Sequence, residues 1–567
     1  MTQNWNPPLG ATGEWAAELA ELQARRASSL AMGGPEALAK FKASGRQNAR
    51  ERIAALADAG SFHEMGRLAG KGHYDAQGAF KRLDPTNAIV GTARIAGRKV
   101  ALHVDDFTLK AGSSEGTIAD KWIYIERLAC QLRMPLVRLV DSAGGSVKLL
   151  MQLGGTKIPE YTSWPANDLL KTVPVVGVAL GACAGQGAIK VLSSHFSVMV
   201  REQAQVMAAG PHVVRQEAYG VDVDKNDLGG YKVHRKSALV HNEAVDEADA
   251  FAQVKRFLSY LPRSVHEAAP VVPSGDDPNR IDDWLKDAIP HDRRKIYDPR
   301  KILASVFDQD SLFEIGRYQG ASVLTLLARL NGVPVGVIAN DPKIQGGAMT
   351  LQAAYKMERH VRLCSLFGLP VVNFVDQPGN QTGLEAETGG TLLGATRLGE
   401  ALHECKSAWV SILIRRCFGM AGALHGPKYG DHLNHRFAWP SARWGSIPIE
   451  GGVMAAHKAE IEAAPDPATK RAELEAYYLD LTSPFRTAEK FGVLDIIDPR
   501  ETRMVLCDWV EDAWYRQTRA WPSNLLTRVN HGSNKFQWHW LPFAVRHGVR
   551  KVGNRKTFGH GEYDLIS

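Results

Sequence analysis

Nowhere in these 567 residues is there an uninterrupted apolar run of 18, so no segment reads as a membrane-spanning helix. The opening residues, MTQNWNPPLGATGEW, lack the basic-then-apolar order of a secretory leader, and a cytoplasmic location is the expectation. Cysteine is scarce. The six (Cys130, Cys183, Cys364, Cys405, Cys417 and Cys507) include no CxxC pair, which argues against structural zinc and for reduced thiols. There is no GxxxxGK[ST] loop and no complete GxGxxG, which removes the P-loop and the dinucleotide fingerprint. A net charge of +7 is small for this length and spread out. It suits a polyanionic small ligand and gives no basic stripe for nucleic acid. What is present is an α/β composition, 44% hydrophobic with 53 glycines, in a chain long enough for two or more cores.

The chain says one thing twice. ARIAGRKVALHVDDFTLKAG (93–112) aligns with ARLNGVPVGVIANDPKIQGG (328–347) at an offset of 235 residues. The same offset pairs Asp106 with Asp341, Gly112 with Gly347, Lys121 with Lys356, Arg127 with Arg362 and Asp141 with Asp376. Further on, GACAGQGAI answers RRCFGMAGAL at an offset of 234, with Cys183 opposite Cys417. A gap-free register over some fifty residues identifies a duplicated domain.

Within each copy, strand-like runs (KVALHVDDF, PLVRLVD, PVVGVAL) alternate with helical stretches such as residues 121–133. That alternation predicts an α/β fold with a largely parallel sheet or a βα superhelix, buried on both faces. The expected organisation is a helical arm over 1–50, a first lobe over 51–262 and a Pro/Asp-rich linker over 263–298. A second lobe over 299–522 and a basic, aromatic tail over 523–567 complete it.

Few motifs carry reactive side chains. GSSEG (112–116) has the form of a nucleophile elbow around Ser114, but five residues in a glycine-rich chain are weak grounds without a strand-to-helix turn. His432 and His435 have no carboxylate or cysteine at a supporting spacing and read as surface histidines. DSAGGS (141–146) and DQPGNQTG (376–383) follow strands at equivalent places. They read either as tight turns whose Asp caps the next helix, or as loops that let a ligand approach backbone amides. GACAGQG (181–187) and CFGMAGA (417–423) each follow a strand and offer only backbone N–H groups at a helix start. Such donors stabilise a developing oxyanion, each worth about 3 kcal/mol, and suit a thioester whose α-carbon is deprotonated. Two such holes with no general base in sight imply a cofactor that brings the base, and biotin does so.

With these residues in view, the sequence resembles the carboxyltransferase (β) subunit of biotin-dependent acyl-CoA carboxylases, of the propionyl-CoA and methylcrotonyl-CoA type. ARERIAALADAGSFHE, DFTLKAGSSEG, AGPHVV, LGGYKVH, LSYLP, FVDQPGNQTGLEAETGG and SPFRTAEKFGVLDIIDPRETR follow in the family's order over about residues 14–522. The resemblance implies two tandem crotonase-like lobes with βα superhelical cores. It implies acyl-CoA in the first, with Gly185, Gln186 and Gly187 over the thioester enolate and Gly112, Ser113, Ala143, Gly144 and Ser146 around the ligand. It implies biotin in the second, with Gly419, Met420 and Ala421 at the ureido oxygen and Gly379 and Ala423 nearby. In the implied reaction carboxybiotin releases CO2, its nitrogen takes the α-proton and the enolate attacks CO2.

The resemblance further implies a homo-oligomer, often a hexamer, with sites shared between protomers. No MKM biotin-attachment tripeptide occurs, so an α subunit carrying biotin carboxylase and biotin carboxyl carrier domains is expected. The chain departs from the family's pattern at Gln186 and Met420, where small residues are usual, and at Ser146, where an arginine is usual. Asn380 and Gln381 replace an apolar pair, and Ala423 stands where some members carry Asp. A decarboxylase of the glutaconyl-CoA type and a silent assembly paralogue are the alternatives.

Overall fold

The computed structural model describes residues 10, 12–156, 164–215, 222–292, 295–427 and 433–519. The tail over 523–567 and His432 lie outside them. The first copy contributes β1 (His63–Met65), β2 (Gly70–Tyr74), β3 (Phe80–Pro85), β4 (Ala88–Ile95), β5 (Arg98–Asp105), β6 (Leu136–Ser142), β7 (Val175–Ala184), β8 (Phe196–Val200), β9 (Gln205–Met207) and β10 (Asn242–Ala244). The second contributes β11 (Phe313–Ile315), β12 (Val323–Leu330), β13 (Val333–Asn340), β14 (Val371–Gln377), β15 (Trp409–Phe418), β16 (Asn434–Ala438), β17 (Arg443–Gly445) and β18 (Asp495–Ile496).

The strand orders are superposable. The first sheet runs β1-β4-β5-β6-β7-β8-β10 with β9 beside the end of β7; the second runs β11-β12-β13-β14-β15-β16-β18 with β17 beside the end of β15. In each, an antiparallel hairpin (β4–β5, β12–β13) leads into parallel strands. Even the register break recurs, after Val140 and after Val375. β6, β13 and β14 are buried along their whole length, as strands covered on both faces are, and in β6 and β14 that burial takes polar residues with it: Arg138, Asp141, Asn373 and Asp376.

Local chemistry repeats with the topology. Both residues of each hairpin turn have positive φ: Ala96 and Gly97 in the first copy, Asn331 and Gly332 in the second. That is the two-residue turn matching strand twist. An aspartate holds each one: Asp58 accepts from the N–H groups of Ala96 (2.9 Å) and Gly97 (2.7 Å), and Asp308 from those of Asn331 (3.0 Å) and Gly332 (2.8 Å). The clamp lets alanine occupy a turn position that favours glycine or asparagine.

The two lobes share one hydrophobic core. Phe196 of β8 stacks on Phe257 (4.8 Å) and meets Phe313 of β11 edge-on (5.5 Å). Asn242 donates to the Glu314 carbonyl (3.1 Å) and accepts from the Gly316 N–H (2.9 Å). The N-terminal residues form helices Ala16–Leu30, Gly34–Lys42 and Ala49–Leu56. The last starts on a capping box between Asn48 and Glu51, crosses position 50/51 and buries Arg52 inside the first lobe. Among the described residues no helix is long and apolar enough to cross a membrane.

Candidate active site

Strand β7 stays buried through Cys183 and Ala184, then turns at Gly185 (φ 54°, ψ −115°) into the helix Gln186–Leu192. Only glycine adopts that backbone without strain. The Gly185 N–H donates to the carbonyls of Met207 and Ala208, 3.1 Å each, so the end of β9 clamps the turn. The sequence set Gly185 beside Gln186 and Gly187 as a donor; the parallel pairing of β7 with β9 takes its N–H and leaves it the bend. The first bond returned across this bend is from the Ile189 N–H to the Gly185 carbonyl (3.1 Å). The amides of Gln186, Gly187 and Ala188 therefore lie in the first turn, where a helix supplies no acceptor. The Gln186 side chain has a buried Nε2 without a hydrogen-bond partner.

Three loops are sewn together at the carboxyl ends of β5, β6 and β7, the end of a parallel sheet where ligands bind. The Ser114 N–H donates to the Gly144 carbonyl (2.9 Å), and the Ala143 N–H to the Ala111 carbonyl (3.0 Å). The Ser142 hydroxyl donates to the Gly112 carbonyl (2.7 Å), and the Ser146 N–H to the Ser114 hydroxyl (3.0 Å). Gly144 (φ 86°) lies so close to β7 that a Cβ there would come 2.7 Å from the Ala184 carbonyl oxygen. Gly112, Ser113, Ala143, Gly144 and Ser146 thus belong to two loops tied to each other, and the second meets β7 and its helix where Gly144 lies against Ala184 and Ser142 against Gly187. Gly112 and Ser113 are buried, and a Cβ on Gly112 would meet the Asp141 carbonyl at 2.4 Å. Their role in the structure is to let the 110–116 loop sit on β6. Ser114 lies in a short 3-10 turn (Ser114–Gly116), not on a strand-to-helix elbow.

The second lobe repeats the bend. β15 turns at Gly419 (φ 64°) into the helix Gly419–Ala423, which buries Ala421 and leaves Met420 67% exposed. The Gly379 loop adjoins residue 349: the Met349 N–H donates to the Gly379 carbonyl (3.0 Å) and the Gln381 N–H to the Met349 carbonyl (2.9 Å). Beside the bend opens a cavity of about 320 Å³, walled among others by Gly419, Gly422, Ala423, His425, Trp444 and Ser446.

The paired aspartates do something else than cap a helix. Asp141 and Asp376 are the penultimate residues of β6 and β14 and are fully buried. Asp141 binds Arg46 and Arg52 (2.9 Å), and Arg52 in turn binds Glu247 (2.8 Å). Asp376 binds Arg415 (2.8 Å) and Arg416 (2.6 Å) and accepts from the Tyr297 hydroxyl (2.9 Å). Burial works to raise the Asp376 carboxyl, and Arg416 and Arg415 hold it below the usual carboxylate range. Each aspartate anchors the strand end from which a site loop departs. The arginines were missed because their partners lie far away in sequence; their signal was an unmatched buried Asp in each copy.

Fold and site together define a duplicated α/β protein in which each half ends a buried strand in a glycine bend and a short helix. Residues 40–525 match the carboxyl transferase domain family. The chain belongs to that family, whose members of the biotin-dependent acyl-CoA carboxylase type supply carboxyltransferase subunits. It is 30% identical over 487 residues to the carboxyltransferase subunit of propionyl-CoA carboxylase from Haloferax mediterranei, covering 85% of this chain and 93% of that one. It is 29% identical over 485 residues to the methylmalonyl-CoA decarboxylase subunit alpha of Veillonella parvula, with the same coverage. Among solved structures, the hexameric transcarboxylase 12S core with methylmalonyl-CoA and methylmalonic acid bound matches with a TM-score of 0.78 at 29% identity, over 89% of this chain and 96% of that one. The tandem crotonase-like fold, expected from the sequence, is shared with these proteins.

Proposed function

We propose that this chain moves a carboxyl group between biotin and the α (or vinylogous γ) carbon of an acyl-CoA, with the thioester in the first lobe and biotin in the second. The observation that carries this reading is the pair of bends at Gly185 and Gly419, each presenting first-turn amides at the end of a buried strand. The amides of Gln186 and Gly187 face the thioester oxygen and take up its charge as the enolate forms, a donor of this kind being worth about 3 kcal/mol. Neither needs a particular side chain, which is why Gln186 and Met420 are tolerated at these positions. The second-lobe cavity is of a size and composition that fit a small bicyclic urea, with Trp444, Gly419, Gly422 and Ala423 on its wall, and the Met420 and Ala421 amides belong to the same short helix. When bound there, biotin supplies the carboxyl group and, once that has left, the base that accepts the α-proton. Ser146 and Gly379 lie in the loops that follow β6 and β14, and Asp141 and Asp376 anchor the strand ends from which those loops depart.

Biotin arrives on a separate α subunit with biotin carboxylase and carrier domains, and the working assembly is a hexamer. The chain works in the cytoplasm. The relative from Veillonella parvula supports a second reading, net decarboxylation, on the same residues. The test is to incubate the purified chain with free biotin and malonyl-, methylmalonyl-, methylglutaconyl-, glutaconyl- and longer carboxyacyl-CoA esters, and to follow loss of CO2 by mass. Biotin-dependent loss from one ester is expected; silence across the panel from folded, oligomeric protein would refute the proposal.

A further inference from the structure

The first lobe contains a second set of buried charges, separate from the Asp141 pairs, wrapped around the helix that follows Gly185. Arg138 on β6 is fully buried and donates to two carbonyls at the C-terminal end of that helix, Lys190 (3.1 Å) and Ser193 (2.6 Å). Its other nitrogens bind both oxygens of Glu126 (2.7 and 2.9 Å). Lys190 is buried under the helix, 3.6 Å from the Asp105 carboxylate and 3.4 Å from Nε2 of His103, with its ammonium 4.7 Å from the centre of the Trp122 ring. Asp105 also accepts from the Asp141 N–H (3.3 Å), which joins the set to the end of β6. Two cations and two carboxylates balance, so the set adds little net field.

At the equivalent positions the second lobe has none of this. Ile338 stands for His103, Asn340 for Asp105, Val361 for Glu126, Asn373 for Arg138 and Leu424 for Lys190. Its shorter helix is closed by neutral donors: the Asn373 amide (2.8 Å), the Trp409 indole (3.0 Å) and the Ser411 hydroxyl (3.0 Å) all reach the His425 carbonyl. A two-turn helix does not hold itself, since one turn fixes several dihedrals for a single bond. An amide hole works only if its donors are fixed in advance, to about 0.5 Å.

We infer that Arg138 and Lys190 are positioning residues for the first-lobe amide hole, holding the helix by its end and its underside so that the Gln186 and Gly187 donors are fixed before the enolate forms. This rests on the reading of that hole given above. Neither residue touches substrate; each acts through the helix.

The test replaces each charged pair with the neutral residues of the equivalent second-lobe positions, without the indole and hydroxyl that complete the closure there, and leaves no buried charge alone: Glu126→Val with Arg138→Asn, and separately Asp105→Asn with Lys190→Leu. Lys190→Arg is the conservative control. Biotin-dependent decarboxylation of the ester active with the parent chain gives kcat and KM, and hydrogen exchange over residues 184–190 reports the helix. Both double variants are expected to lower kcat about thirtyfold with KM within about twofold and to speed exchange over 184–190 alone, whereas Lys190→Arg should retain most of kcat. Unchanged kcat with unchanged exchange would overturn the inference and leave the hole standing. Faster exchange with unchanged kcat would show that the helix is tethered but that the hole is not there, and would overturn both. A loss of protection throughout the lobe, with kcat and KM moving together, would reduce the network to stability alone and overturn the inference.

Discussion

Where β7 and β15 end, the two lobes hold one backbone shape by opposite means. In the first, the helix after Gly185 is closed by an arginine and braced by a lysine, each with a buried carboxylate. In the second, the helix after Gly419 is closed by an amide, an indole and a hydroxyl. The strand order, the hairpin clamp and the register break are the same in both. What diverged after duplication is therefore the chemistry beneath the site, while the bends that make the site were kept. Buried ion pairs seldom add net stability over apolar packing of the same volume. The presence of the Arg138 and Lys190 pairs beneath the helix of one lobe only is better explained by placement of that helix than by strength of a core.

The comparison is broken most severely at what the lobes share. Gly185→Val or Gly419→Val should each lower turnover by 100-fold or more while the oligomer, followed by light scattering, persists, because a branched side chain cannot follow either bend. Equal loss in both lobes would establish that both bends serve the reaction; loss in one alone would break the equivalence.

Next comes the difference itself. Arg138→Leu strands Glu126 in the core and should cost about 3–5 kcal/mol in denaturant unfolding, whereas Asn373→Leu at the matching site should cost about 1 kcal/mol. Equal costs would mean that the charged and neutral closures are interchangeable.

Acid should loosen the contact between the lobes. Burial holds His195 at about 4 and His360 at about 3, below the ordinary histidine value of 6.5, so both stay neutral in the folded chain while the unfolded chain takes up protons. Their stabilising effect is complete above pH 6.5 and is lost as the pH falls from there towards 4 for His195 and 3 for His360, by roughly 3 kcal/mol for His195 alone. The His195 ring meets Phe367 of the second lobe edge-on (5.0 Å), so thermal unfolding followed from pH 7 to 5 should show a falling midpoint. His195→Gln should flatten that slope.

The smallest effect is expected where the chain departs from its family. Met420→Gly leaves the backbone donor in place and removes a side chain that is mostly in solvent, so kcat should stay within about threefold. A large loss would assign the Met420 side chain a contact of its own.

Much of this could be read from the residues. The offset of 235 fixed the duplication, and the glycines at 185 and 419 marked the bends, because a positive φ is a local demand that shows in the residue itself. Asp141 and Asp376 were visible as a pair, yet their role was not, since the nearest local explanation was a helix cap. The charged set around Lys190 left a trace as well: ALHVDD and PLVRLVD carry His103, Asp105 and Arg138 where VGVIAND and PVVNFVD carry Ile338, Asn340 and Asn373. That contrast marks a position as unusual and does not name its partner.

By itself, then, the sequence determined the duplicated α/β architecture and the two small-residue turns that follow buried strands, while the order of the strands came from the fold. The architecture and the turns follow from hydrophobic period, from turn chemistry and from the register of one copy on the other, all of them short-range or repeated signals. The tertiary structure alone decided that β9 takes the Gly185 N–H, that Arg52 reaches Asp141 across 89 residues, and that Arg138 closes a helix 52 residues further along. The reason is that a buried charge or an orphaned amide is satisfied by whatever group the fold brings within about 3 Å, and no spacing along the chain encodes that meeting.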